Sequence, residues 1–496
     1  MTTTPATLPD QLKTRDQDRL KAYREHLDFY AGTQWLTASR RERQLTFNYA
    51  KVAIDKITSY LMSGLDFAVD PAPSQSASGT GTGEVESAKS KARTAEASLY
   101  AVYQANQLDA LDFETEVDCA VLGDGAYKIT WDAPAARVRV TSPDVQGLFA
   151  WWQADDPSQV YRIAQKYHLP TEEAEARYGT ASGKGSAYPE PVRICKVPTY
   201  RENGDRRGTI EVVEDWTVPH YTLWVDGAII QQGPNPYGFI PYVVFPNLRE
   251  PKKFWGTSDI PPITETSREL NRALSQLSRI LEVSGNPIAV LENVEDSQDI
   301  AVQPNAVWNV PEGAKAYLLD LLEGGGVKLH VDYIELLYRT FHDLAETPRA
   351  AFGGIDRDLS GVALEIELHP LLQKVRRKRT IRTAAYRRRN EMILALLSRF
   401  TGADFGQVTH RLVWAPTLPQ DKGKQAQNEQ LLVQSGIHSR RRAMDDLGIM
   451  DPEAEFGRWM EERQRIMEMN QRLQARFSRG GNRERASENP ADENQA

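Results

Sequence analysis

The sequence lacks several features that would place it in a class at once. It has two cysteines, Cys119 and Cys195, and they form no Cys-x-x-Cys pair. A disulfide framework is therefore excluded, and we expect a reducing compartment. No apolar run approaches the ~18 residues needed to span a bilayer, and no basic segment followed by an apolar one opens the sequence. These absences predict an intracellular protein without a membrane segment.

An excess of positive charge is also missing. The chain carries 60 basic and 68 acidic residues, so its formal net charge is -8, which excludes a globally basic nucleic-acid binder. Apolar residues make up 40% of the 496 residues, enough for real cores, so wholesale disorder is excluded as well. The length corresponds to about three domains at ~150 residues each.

Motifs for catalysis or metal binding are absent too. Residues 179–185 resemble a phosphate-binding loop but have too few residues between the glycines and a glycine where Ser or Thr would hold Mg²⁺. Pro143-Asp144 is not followed by a nuclease Asp-x-Lys, and Asp356 and Asp358 suit helix caps and salt bridges better than a metal. The sequence therefore predicts no catalytic residue, no metal and no cofactor, although an active site could still be assembled from scattered residues.

Apolar spacing predicts a chain that is first helical, then mixed, then helical again. The predicted helices are 10–31, 49–63, 84–121, 261–282, 328–346, 361–399, 421–435, 439–447 and 452–477. The predicted strands are 126–131, 137–141, 160–167, 210–217, 221–225, 242–245, 288–291 and 306–310. Pro370 lies inside the longest helix, where a kink or break is expected. The fold class is thus mixed α+β and predominantly helical.

One run of basic residues stands out in the longest predicted helix. It contains no acid, and its cations are Lys374, Arg376, Arg377, Lys378, Arg379, Arg382, Arg387, Arg388 and Arg389. Such a helix repels itself unless other charges compensate. Two interpretations stay open: pairing with acidic partners in an assembly, or contact with nucleic-acid phosphate without reading the base sequence.

Several short strings occur in a fixed order along the chain: Tyr30-Ala-Gly-Thr-Gln-Trp35, Asn48 to Ile57, Trp255 to Ile260 with Arg268 to Asn271, Leu359 to Leu364, Gly436 to Ser439, Leu447-Gly448 and Asp451 to Glu455. Together they resemble the portal (head-to-tail connector) proteins of tailed double-stranded-DNA bacteriophages. No single string is diagnostic, whereas their shared order over most of the chain is. The resemblance implies a ring-shaped oligomer, usually of twelve subunits, around a central channel.

The resemblance also implies a division of the chain. The implied regions are an N-terminal helical arm (1–32), an α+β wing (33–257), a first stem helix (258–283), a clip (284–326), a second stem helix (327–348), a tunnel loop (349–360), a long kinked helix returning to the wing (361–417), a helical crown (418–477) and a disordered tail (478–496). The residues implied to line the channel are Arg349, Phe352, Gly353, Gly354, Ile355, Asp356, Arg357, Asp358, Leu359 and Ser360. The basic run supplies further candidate DNA or inter-subunit contacts.

In function, the resemblance implies a non-enzymatic DNA channel at one capsid vertex of the virion, assembled in the host cytoplasm. Its implied partners are other copies of the chain, double-stranded DNA, the large subunit of the terminase motor, a head-completion or tail-adaptor protein, and the major capsid and scaffolding proteins. The channel would help to nucleate head assembly, conduct and retain DNA, and connect head to tail. The alternative is a nuclease-like enzyme that processes nucleic acid and binds DNA through its basic helix.

Overall fold

The computed structural model describes residues 7–33, 45–72, 82–178, 208–285, 288–292, 313, 315–319, 326–353, 361–418, 422–449 and 452–485. It divides into two compact units, Met1–Thr417 and Leu418–Ala496. Several sequence predictions fall at least partly outside the described residues. They include the glycine-rich loop 179–185, most of the clip with the predicted strand 306–310, residues 354–360 of the tunnel loop, residues 1–6 of the arm and residues 486–496 of the predicted tail.

Helices of the first unit follow the predicted pattern, with two unforeseen breaks. Their bounds are α1 Leu8–Thr14, α2 Gln17–Ala31, α3 Tyr49–Leu61, α4 Thr82–Asn106, α5 Leu108–Leu122, α6 Thr171–Tyr178, α7 Pro261–Gly285, α8 Gly326–Ala345 and α9 Gly361–Thr401. The breaks come at Asp16 and Gln107, whose positive φ angles of 55° and 51° interrupt what the apolar spacing had suggested were single helices.

Antiparallel strands complete the first unit. They are β1 Leu65–Pro71, β2 Asp124–Asp132, β3 Arg137–Thr141, β4 Leu148–Trp152, β5 Val160–Pro170, β6 Thr209–Thr217, β7 His220–Val225, β8 Ala228–Pro234, β9 Tyr242–Pro246, β10 Ile288–Glu292, β11 Lys315–Leu319 and β12 Val408–Trp414. Their sheets have the orders β3-β2-β9, β4-β5-β6-β7-β8, β1-β12 and β10-β11. The mixed α+β class, with helix predominant, is confirmed.

The main core lies between the β3-β2-β9 sheet and helices α4 and α9. Tyr127 and Ile129 of β2 are fully buried there, with Phe245 of β9 and Ile393 of α9. A second core joins the end of α5 to α7 and α8: Ala120 and Val121 pack with Ile263 of α7 and Phe341 of α8. These two cores fix α9 and the α7–α8 pair to the same framework.

Helix α9 is continuous from Gly361 to Thr401 although it contains Pro370. A proline removes one backbone hydrogen bond, and a long helix with many remaining bonds can accommodate that loss. The expected break is therefore not observed. At 1.5 Å per residue, 41 residues span roughly 60 Å.

The second unit contains α10 Lys422–Gln434, α11 Arg440–Asp446 and α12 Pro452–Arg485. Ser439 caps α11 by accepting a hydrogen bond from the Arg442 amide. The last helix extends to Arg485, so the start of the segment predicted as a disordered tail is helical. Across the described part of the whole chain, every helix falls short of the length and apolarity that a bilayer crossing requires.

Candidate nucleic-acid interface

The two predicted stem helices, α7 and α8, pack against each other. Tyr333 of α8 donates a hydrogen bond to Glu269 of α7, with an O–O distance of 3.3 Å. Ile260, just before α7, and Phe341 and Ala345, at the end of α8, are buried in one apolar cluster. The rest of the pair presents much of its surface to solvent, including Leu329 at 73% and Leu336 at 59% exposure.

Only the start of the predicted tunnel loop lies in the described residues. Arg349 to Phe352 form one turn of 3₁₀ helix, and Gly353 follows with φ +84°, a conformation that favours glycine. The Phe352 ring is half-buried and lies 5.3 Å from the His342 ring. Arg349 is exposed. Of the predicted channel-lining residues, these three alone are described, and Phe352 packs within its own chain.

The basic run does not form one charged surface. Lys374, Lys378, Arg382 and Arg389 are all at least 96% buried. The first three recur every four residues and so lie on one face of α9. This face is buried against the rest of the first unit. We call these four the buried cations. They cannot reach DNA or a neighbouring subunit, which corrects the sequence-based hypothesis for these four residues.

Distant carboxylates neutralise the buried cations. Lys374 Nζ lies 3.1 Å from Asp259 Oδ1 and Lys378 Nζ lies 2.6 Å from Asp259 Oδ2. Arg382 binds both oxygens of Glu116, at 2.7 and 2.8 Å, and donates to the backbone carbonyls of Pro246 and Asn247. Such bidentate pairs are among the strongest hydrogen bonds in proteins.

Arg389 occupies an aromatic cage. Its guanidinium pairs with both oxygens of Asp112, and its central carbon lies 4.6 Å and 4.7 Å from the ring centroids of Tyr127 and Tyr386. Tyr103 is a third ring, at 5.1 Å, and accepts a hydrogen bond from Arg389 Nη2. Cation–π attraction is strongest when the charge is desolvated, as it is here.

The electrostatic balance of these groups follows from their pairing. Burial alone would raise the pKa of the Asp259 carboxyl, but Lys378 and Lys374 outweigh it and hold that pKa below its usual value. Burial would likewise lower the pKa of Arg382, whereas Cys119 and Glu116 raise it above the ordinary range. Both groups therefore stay charged in the interior.

The buried cations also contact the residues at the start of α7 and at the end of α8. Asp259 lies two residues before α7 begins, and Lys374 Nζ donates to the backbone carbonyl of Ala345, the last residue of α8, at 2.9 Å. Arg379, which is half-buried, donates to the carbonyls of Leu61 and Ala415. In the described structure this part of α9 thus connects the end of α8 with α3 and α5.

Four arginines of the run remain exposed: Arg376, Arg377, Arg387 and Arg388. Arg377 pairs with Glu346 at 2.7 Å and Arg388 with Glu391 at 3.2 Å. Arg376 and Arg387 have no acidic partner among the described residues. These four are the members of the run that solvent, DNA or another subunit can reach.

Sequence reasoning missed the acids that neutralise the run. Asp112 and Glu116 stand one helical turn apart on α5, and Asp259 follows a loop more than a hundred residues later. The available signal was the four-residue spacing of Lys374, Lys378 and Arg382, which is typical of a single buried face.

Comparison with known proteins identifies the family. No curated protein sequence matches the chain. The family model described as "phage portal protein, SPP1 Gp6-like" matches residues 10–469, which is nearly the whole chain and leaves out only the start of α1 and the last turns of α12 among the helices and strands described above. Membership of this family implies that the chain assembles into an oligomer, lies at the capsid vertex of the virion, and has partners in the capsid and packaging machinery. This chain belongs to the SPP1 Gp6-like family of phage portal proteins.

Proposed function

We propose that the chain forms the DNA channel at one capsid vertex, as a ring of usually twelve subunits. In this proposal the ring helps to nucleate head assembly, and its clip, residues 284–326, docks the large terminase subunit. The ring conducts DNA inward, retains it, and binds a tail-adaptor protein. The family match over residues 10–469 is the observation that carries the proposal.

An exposed apolar stripe on α8 supports assembly with further copies of the chain. Leu329, Tyr333, Leu336 and Leu344 are each between 41% and 73% exposed. Successive members are four, three and eight residues apart, with Thr340 midway in the last interval, and this is the seam spacing of helices that pack side by side. In the single chain, this stripe stays uncovered.

The remaining regions of the proposal follow the family resemblance. The tunnel loop, 349–360, faces the channel, 1–32 is the arm and 418–477 the crown. DNA is contacted weakly and without base recognition, by Arg349 and Arg357 of the loop and by the four exposed arginines of α9. A channel must not bind its cargo tightly, because each phosphate contact adds to the barrier against sliding.

We further propose that the chain has no catalytic activity and takes no cofactor. The nuclease-like alternative relied on a basic DNA-binding helix. It loses much of that support because four of the nine cations are buried and paired with acids of the same chain.

The direct test is the mass of the assembled particle, measured by native mass spectrometry or electron microscopy. The proposal predicts a closed ring of about twelve subunits that neither turns over ATP nor cleaves DNA. A monomer or dimer with metal-dependent DNA cleavage, abolished by one Asp or Glu substitution, would establish the alternative.

A second test addresses the loop. Deleting residues 353–358 is expected to leave the ring intact and to impair DNA packaging or retention, since a Cβ added at Gly353 would meet no atom within 4 Å. Loss of the ring itself would show that the loop is a packing element.

A further inference from the structure

Three side chains that can bind a metal meet in the second unit. Glu429 comes from α10, His438 from the turn after it, and Asp446 from the last residue of α11. His438 Nδ1 lies 2.9 Å from Glu429 Oε2 and 3.7 Å from Asp446 Oδ2, and all three ligand atoms lie within 4.8 Å of one another. No short metal motif has this spacing, which is why the sequence predicted no metal.

We propose that Glu429, His438 and Asp446 bind one divalent metal ion, and that Zn²⁺ is the ion that suits them. One imidazole nitrogen and two carboxylate oxygens form a donor set that Zn²⁺ accepts at about 2.0–2.2 Å per bond. In a tetrahedral site such bonds place ligand atoms about 3.3 Å apart. The observed 2.9 and 3.7 Å separations bracket this value, so small side-chain rotations suffice.

The charges around the cluster favour a dication. Glu429 is 8% exposed, and a buried carboxylate requires a compensating charge. Arg442 Nε donates to Asp446 Oδ2 at 3.0 Å and so supports that carboxylate from outside. Gln425 donates to the Asp446 backbone carbonyl. Outer contacts of this kind orient metal ligands.

The composition of this unit is an independent argument. Among the described residues from Lys422 onward, Ala443 is the one buried hydrophobic residue, so no apolar core holds α10 against α11. The Glu429–His438–Asp446 cluster and the Gln425 hydrogen bond connect these two helices. Small units without a core commonly depend on a structural metal, whose binding energy becomes folding energy.

The experiment uses the full-length chain, stripped of metal by a chelator. Equilibrium dialysis against Zn²⁺ with elemental analysis should give one ion per chain, and Co²⁺ substitution should give the intense visible absorption of a tetrahedral site. His438→Asn should weaken binding by at least about tenfold. The matched control is His168→Asn, because His168 also faces a carboxylate, Glu211 at 4.0 Å, without a third ligand; its binding should equal that of the wild type.

Several results would overturn the proposal. One is no specific Zn²⁺ binding by the wild type; another is unchanged binding by His438→Asn. A third is an effect of His438→Asn on stability that varies with pH and not with Zn²⁺, which would show that the cluster is an ion-paired triad only. Should His438→Asn fail to fold by circular dichroism, Asp446→Asn and the wild-type Co²⁺ spectrum decide. Ring assembly, measured on the same samples, reports on the portal role separately.

Discussion

At the scale of single residues, the buried cations show how charge can be structural. Removing one member of a buried ion pair leaves its partner charged and desolvated, which costs about 3–5 kcal/mol. Arg382 is the most connected of the four, since it binds Glu116, two backbone carbonyls and the Asn247 side chain. Its removal should therefore be felt throughout the junction of α5, β9 and α9.

We predict that Arg382→Met lowers the free energy of unfolding by about 3–5 kcal/mol, measured by denaturant unfolding of the full chain. Arg388→Met is the matched control on the same helix, because Arg388 and its partner Glu391 are about half exposed. An exposed pair contributes under about 1 kcal/mol. Equal losses in the two variants would contradict the burial-based interpretation of the run.

A second residue-scale prediction concerns Asp124. Burial raises the pKa of its carboxyl to about 6, against a usual 3.8, although Tyr23 and Gly256 donate hydrogen bonds to it at 2.6 and 2.8 Å. The folded chain therefore holds this proton more tightly than the unfolded chain. The stability that the proton provides is complete below pH 3.8 and is lost as pH rises through 6.

We expect Asp124→Asn to remove that dependence. The melting temperature of the wild type minus that of the variant should fall as pH rises from 3.8 to 6 and stay constant above it. The corresponding free energy is about 3 kcal/mol. A difference that grows with pH over this interval would mean that Asp124 is stabilised as the carboxylate.

At the scale of elements, sequence and structure agree best where apolar periodicity decides. Helix α7 begins at Pro261 as predicted, and β3 has the predicted bounds, because their apolar positions face a core of the same chain. The strands β1 and β12 were not predicted. They pair across more than three hundred residues, and no local pattern carries that information.

The candidate interface was harder to predict than the fold. A run of cations looks the same in sequence whether its charges face solvent or meet distant acids. Asp112 and Asp259 neutralise Arg389, Lys374 and Lys378 only once the chain has folded. The four-residue spacing of the buried members was visible, but the identity of their partners depends on tertiary contact.

The stripe on α8 gives the element-scale prediction. Leu336→Asp places a charge in the proposed subunit contact and should shift assembled rings toward monomers, as measured by native mass spectrometry, while leaving the fold of each chain unchanged by circular dichroism. Ile229→Asp is the control, because Ile229 is 48% exposed on the edge strand β8 and lies outside the proposed contact. Intact rings with Leu336→Asp would remove the stripe from the interface.

At the scale of the whole molecule, the net charge of -8 agrees with the proposed DNA channel, because a negative surface does not bind DNA tightly. Exposed cations are then local exceptions on a surface that repels DNA at long range. The four exposed arginines of α9 and those of the tunnel loop are the two candidate contacts in the proposal, and assembled particles can distinguish them.

We predict that replacing Arg376, Arg377, Arg387 and Arg388 together by Gln leaves rings intact and reduces DNA retention, with a weaker dependence on salt concentration than the wild type shows. Arg389 must be excluded from such a variant, since its burial would confound folding with function. Retention equal to that of the wild type, together with a defect in the 353–358 deletion, would assign DNA contact to the loop alone.

The ion pairs that α9 makes with α5 and Asp259 also bear on when the chain can fold during its synthesis. Asp112, Glu116 and Asp259 are translated long before Lys374 to Arg389. During that interval the first unit carries carboxylates whose cationic partners have not yet been made. If the core of the first unit formed during that interval, those carboxylates would be buried without a compensating charge. We therefore expect the first unit to complete its fold only after translation has passed Arg389, because until then Asp112, Glu116 and Asp259 lack the cations that neutralise them.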